Sequence, residues 1–150
     1  MTEILATAKI TRRMSASPER VYDAWLEPAK LRAWMSAALK NMGLSGAMQR
    51  IEVDARVGGN FFFSDMRQAG EAKHWGTYCV LDRPHKIEFT WIVDASQEAD
   101  PSVVTITIKP DGTGSIVTIE HAKIFASYVE RVEMGWTNML GAIETVLGAA

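Results

Sequence analysis

The apolar residues of this chain change their period at Phe125, and that change limits the folds open to it. Upstream, apolar and polar residues alternate in short runs cut by turn residues, the pattern of half-buried strands. From there on, Phe125, Val129, Val132, Trp136, Met139, Leu140, Ile143 and Leu147 recur at intervals of three or four. They form one wide apolar face on a helix of roughly 30 Å, at 1.5 Å per residue. A helix of that length needs an extended partner, and only a sheet built from the upstream strands is large enough to cover it.

The upstream segments divide accordingly. Residues 4–14 read as a strand with Ile4, Ala6, Ala8, Ile10 and Met14 on one face, interrupted by Arg12 near its end. Ser17-Pro18-Glu19 opens a short helix, with Ser17 placed to cap free amides and Pro18 suited to the first helical position. Val21, Tyr22 and Trp25 make its buried stripe. Pro28 ends it and starts a second helix through Leu31, Trp34 and Met35. Residues 37–46, with Gly43 and Gly46 as breakers, read as a loop. A meander follows, with strands over 48–55, 61–66, 73–81, 86–93, 103–109 and 115–121, joined by turns that call for antiparallel neighbours. The 150 residues suit one domain, 1–150, of the α+β class.

Charge and cysteine content exclude several functions. With 16 basic against 18 acidic residues the formal net charge is −2, and the basic residues are scattered, so no nucleic-acid partner is expected. A single cysteine, Cys79, allows no internal disulfide and no thiolate cluster. Its apolar surroundings in the sequence suggest a buried, unreactive thiol. His74, His85 and His121 lie on three separate segments without metal-ligand spacing, so neither metal nor cofactor is expected. The N-terminus lacks the pattern of a signal peptide, and no apolar run approaches the roughly 20 residues that span a bilayer. A cytoplasmic protein without membrane insertion, monomeric or homodimeric, is the expectation.

Several stretches together carry a resemblance. They are Ala16-Ser17-Pro18-Glu19-Arg20-Val21-Tyr22-Asp23-Ala24-Trp25 with Pro28 and Trp34; Val57-Gly58-Gly59 leading into Phe61-Phe62-Phe63; Gly76 through Pro84 to Phe89-Thr90-Trp91; Glu120-His121; and Gly135-Trp136. In order and spacing the chain resembles the activator of heat-shock protein 90 ATPase homologue family, within the START-like (SRPBCC, birch-pollen-allergen-like) superfamily. The resemblance implies a helix-grip fold: one strand, two short helices, a meander and a long C-terminal helix closed over a curved sheet. It also implies a cavity between sheet and helix, where superfamily relatives hold lipids, hormones or polyketides. Chaperone activation goes with eukaryotic members that carry a further N-terminal domain, for which this length leaves no room, so a chaperone partner is not the expected role.

Large, soft side chains suit the walls of such a cavity. The candidate ligand-binding residues are Phe61, Phe63, Met66, Trp75, Tyr78, Phe89, Trp91, His121, Met134, Trp136 and Met139. An inward His121 could orient a ligand carbonyl or act as a general acid/base, while the simpler reading is a hydrogen-bonded histidine at the rim. Glu120 must then face the other way. Asp65 and Arg67 share a strand face, as a plain ion pair or as a polar contact at the cavity mouth. No serine stands in a nucleophile elbow, and no catalytic residue is assigned. The expected function is non-enzymatic binding of a small hydrophobic, lipid-like or aromatic molecule. The alternatives are a polyketide cyclase or aromatase using His121, Tyr78 and Asp65, and an interaction module presenting Trp34, Met35, Met42 and Leu44.

Overall fold

The computed structural model describes residues 4–148. Strand β1 (Leu5–Met14) leads into helices α1 (Pro18–Ala24) and α2 (Pro28–Asn41). Strands β2 (Met48–Val53), β3 (Asn60–Arg67), β4 (Gly70–Asp82), β5 (Lys86–Trp91), β6 (Ser102–Asp111) and β7 (Gly114–Phe125) follow, then helix α3 (Val129–Leu147). Every strand pairing is antiparallel, and the sheet order is β1-β7-β6-β5-β4-β3-β2. The architecture is the expected α+β one, with α3 lying against the inner face of a curved seven-stranded sheet.

Local chemistry explains the helix boundaries. The Ser17 hydroxyl accepts from the Arg20 amide at 3.4 Å, and Pro18 takes the first helical position. Helix α2 continues to Asn41, through a stretch whose glycines read as a loop in the sequence. Ala37, Ala38, Leu39 and Lys40 are strong helix formers, and the chain breaks only at Gly43, where φ is +80°. The last helix begins at Val129, later than its period suggested. Phe125 is instead the last residue of β7, paired with Leu5 on β1 and partly exposed.

Cross-strand pairs build the inner face row by row. Tyr78, Phe89, Val104, His121 and Ala8 are register partners in turn across β4, β5, β6, β7 and β1. Ile87, Ile106, Ile119 and Ile10 form the next row. Gly76 sits opposite Phe61, where a Cβ would lie 2.0 Å from the Thr90 carbonyl oxygen and 2.9 Å from the Phe61 ring. The absent side chain is what admits that ring.

Helix α3 buries Trp136, Leu140, Ile143 and Leu147 against this face, each contributing about 1.5–3 kcal/mol. Asn138 ties it to α2 by donating to the Ala38 carbonyl at 3.0 Å. On the β1 side the Glu133 carboxylate accepts from the Lys9 amide at 3.1 Å, blunting an open sheet edge. Arg12, the residue that interrupts the apolar face of β1, pairs with Glu144 at 2.6 Å. Both partners stay substantially exposed, so the pair contributes under about 1 kcal/mol.

Cys79 overturns an expectation. It follows the inward Tyr78 and faces outward, exposed. Burial of the sulfur, and then the Glu88 carboxylate, raise its pKa, so the thiol is reachable but a poor nucleophile at neutral pH. A thiol reagent should therefore titrate one equivalent in the native protein, more slowly than in urea. A native protein that does not react at all would show the placement to be wrong.

Candidate ligand site

The inner face carries a continuous aromatic surface. The Phe61 ring stacks on Phe63 at 5.0 Å and meets Tyr78 and Phe89 edgewise or tilted at 5.4 Å each. Trp91 lies 5.4 Å from Trp136 of α3, and Trp136 lies 6.1 Å from Trp25, which meets Trp34 at 5.1 Å. Rings from the sheet and all three helices thus meet one another, and they fill the space expected as an enclosed cavity. Two open hollows lie elsewhere. One, of about 300 Å³, lies beside Phe62, Trp75 and Thr77; the other, of about 620 Å³, runs along α3 beside Glu130, Met134 and Thr137.

The structure brings most of the sequence-predicted residues together. Phe61, Phe63, Tyr78, Phe89, His121 and Trp136 are buried on the inner side, and Trp91 and Met139 are half-buried against them. Three do not join them. Met66 is 54% exposed and Met134 73% exposed. Met66 follows the inward Asp65, so alternation turns it out, and Met134 stands about 200° around the helix from Trp136. Trp75 pairs with Phe62, and their rings stack at 6.2 Å on the outer face. The apolar patch expected around Trp34, Met35, Met42 and Leu44 is also not formed: Trp34 is buried and donates to the Ala24 carbonyl at 2.8 Å, leaving only Met42 exposed.

His121 is 4% exposed, deeper than a rim position, and both ring nitrogens are engaged. The Trp136 indole N–H donates to Nδ1 at 3.1 Å. An indole can only donate, so the imidazole proton resides on Nε2. Nε2–H then donates to the Ser102 hydroxyl at 2.8 Å, which donates in turn to the Trp91 carbonyl at 2.9 Å. This relay joins α3 to β7, β6 and β5. Burial lowers the His121 pKa from 6.5 to about 4, which keeps the ring neutral at physiological pH. Glu120, its neighbour, is exposed on the other face.

Sequence reasoning missed Ser102 and Trp25. Ser102 reaches His121 only because Trp91 pairs with Ser102 and Val104 with His121, a register with no sequence signature. Trp25 Nε1 is, among the described residues, the buried side-chain donor left without an acceptor. Asp65 is buried and held by Arg67 at 2.7 Å. Tyr78 is buried, and burial followed by the Asp54 charge raises its pKa far above the ordinary value.

No helix among the described residues is long and apolar enough to cross a membrane. No group of three or more His, Cys, Asp or Glu among them could hold a metal ion.

A curved antiparallel sheet gripping a C-terminal helix, with an aromatic interior, defines a helix-grip protein of the START-like class. Residues 15–148 match the family described as Activator of Hsp90 ATPase homolog 1-like protein, and the chain belongs to that family. Protein CV1439 from Chromobacterium violaceum is 27% identical, with a TM-score of 0.75 over 94% of this chain and 96% of that one. PFC0360w, an HSP90 activator from Plasmodium falciparum, is 26% identical, with a TM-score of 0.72 over 95% and 96%. Mll3558 from Rhizobium loti, 22% identical with a TM-score of 0.77 over 97% and 99%, shares the fold. No curated protein matches the sequence.

Proposed function

We propose that the protein binds a small apolar molecule on the half-open side of the sheet, between β2–β5 and helices α2 and α3, without catalysing a reaction on it. The observation that carries this reading is that Met35, Met48, Ile51, Trp91 and Met139 pack against the core yet stay only partly buried. Inward-facing apolar groups left in contact with water favour an apolar occupant. The Met side chains can re-pack around one. The unpartnered Trp25 indole supports the same reading, since a buried donor without an acceptor costs about 1–3 kcal/mol that a ligand oxygen would recover. Catalysis is disfavoured because His121 has both nitrogens engaged and Asp65 is held by Arg67.

Native mass spectrometry of freshly purified protein, followed by denaturing extraction, tests this directly. An apolar small molecule at near one-to-one occupancy is expected. An empty protein whose tryptophan emission is unmoved by both decanol and decanoate would sink the reading. A second reading, docking on a heat-shock protein 90 chaperone, is favoured by the similarity to the Plasmodium falciparum activator. Stimulation of a chaperone ATPase by the purified chain would support it, and no stimulation at saturating concentration would remove it.

A further inference from the structure

The half-open side has a charged rim assembled from separate elements. Asp65 is buried, and Arg67 on the same strand face grips it, with Nε at 2.7 Å and Nη2 at 3.3 Å. That grip uses one edge of the guanidinium. The Nη1 group makes no hydrogen bond to any described residue, and the Arg67 side chain is 34% exposed against 5% for Asp65. The outward pole of the pair is therefore its cation.

A second guanidinium bonds the strand that faces Asp65. Arg32 of α2 donates from Nη1 to the Met48 carbonyl at 3.2 Å, and Met48 is the register partner of Asp65. His74, diagonal to Asp65 on β4 and stacked on Trp91 at 5.1 Å, adds no charge. Burial, and next the Arg67 cation, lower its pKa below the ordinary value. Two carboxylates on the neighbouring strands are turned to the outer face: Glu52 pairs with Arg50 beside Phe62, and Glu71 accepts from the Ser64 hydroxyl. These elements bring two guanidinium groups and one inward carboxylate to the strands that carry Met48, Ile51 and Phe63.

We propose that the bound molecule ends in a carboxylate, which the free edge of Arg67 takes at the rim, with Arg32 on the facing strand adding to the positive charge, while the apolar body lies on the inner face. This rests on the apolar-binding reading above and names the chemical class of its ligand. A guanidinium fork matches a carboxylate in shape as well as charge, and the low-dielectric wall beside it strengthens the contact.

Decanoate and decanol, titrated at pH 8 against the tryptophan emission of the full chain, present the same tail with and without the charge. Decanoate should bind about ten-fold or more tightly than decanol, with a preference that weakens as salt is added. Removing Arg67 alone would leave the Asp65 charge buried and unpaired, so the informative variant is Asp65→Asn with Arg67→Gln, a neutral pair of similar shape. In it the two probes should bind within a factor of about two of each other. Arg32→Gln should weaken decanoate several-fold more than decanol. Equal affinities in the parent protein, or a preference that survives the double change, would overturn the carboxylate assignment and leave apolar binding standing. Failure of both probes to bind would overturn both.

Discussion

Between pH 6.5 and pH 4 the protein is expected to lose about 3 kcal/mol of stability through His121. The unfolded imidazole titrates near 6.5 and the folded one near 4. Above the window both states are neutral and the residue contributes no pH dependence. Within it the unfolded chain takes up a proton that the folded chain refuses, so stability falls as pH falls, and below about 4 the penalty stays constant. The geometry gives the refusal a cause besides burial, because a proton on Nδ1 would face the Trp136 N–H, two donors with nothing to accept. His74, whose pKa is also lowered, adds loss of the same sign. Asp23, held low by its Arg83 hydrogen bonds, contributes only at more acid pH. Urea unfolding across the range, compared with His121→Phe, isolates the residue: the variant starts less stable and has the shallower acid slope. Equal slopes in the two proteins would refute the assignment.

Trp136 should be the more costly position to truncate. Trp136→Ala is expected to destabilise by about 3–5 kcal/mol, through lost burial and the cavity left between α3 and the sheet. Trp136→Phe keeps most of the packing but leaves His121 Nδ1 buried without its donor, a loss of about 1–3 kcal/mol. The Phe variant should also raise the His121 pKa towards its ordinary value, because water or a proton can now satisfy Nδ1. Denaturant midpoints and the imidazole titration by NMR check both effects. If the Phe variant matched the Ala variant, or if His121 titrated unchanged in it, the hydrogen bond would not carry the role given to it.

Much of the fold was legible in the sequence, for reasons that mark where legibility ended. Turn residues and alternation define the meander because a half-buried strand forces both. Helix α2 runs longer than its glycines suggest, because the helix formers Ala37, Ala38, Leu39 and Lys40 carry it on until just before Gly43. The outward places of Trp75 and Met66 are legible from strand alternation. Trp75 and Tyr78 differ by an odd number of positions, as do Phe63 and Met66, so one of each pair had to face outward. Met134 likewise falls outside the helical face that places Trp136. The relay through Ser102 and the rim of Arg32, Asp65 and Arg67 lay beyond sequence reading, since each depends on pairing between segments far apart in the chain. Whether the interior is open or filled could not be read either, because the same aromatic residues line a hollow or close it according to their rotamers.

The place of β1 in the sheet has a consequence for how the chain is made. It lies at one edge, with β7 its one neighbouring strand among the described residues, and the Ser115–Ala16 contact beside that pairing joins positions 99 apart. Strands β2 to β7 are neighbours in the sheet in chain order, so each has its partner to hand as soon as the next is synthesised. Strand β1 leaves the ribosome well before β7 and waits for it through the whole meander. Such non-local pairings are slow to close, and until β7 arrives both flanks of β1 are available to any other extended segment. Glu133, which later covers the Lys9 amide, comes later still. The nascent chain is therefore most exposed to mispairing at β1, and it is relieved of that exposure only as helix α3 takes hold.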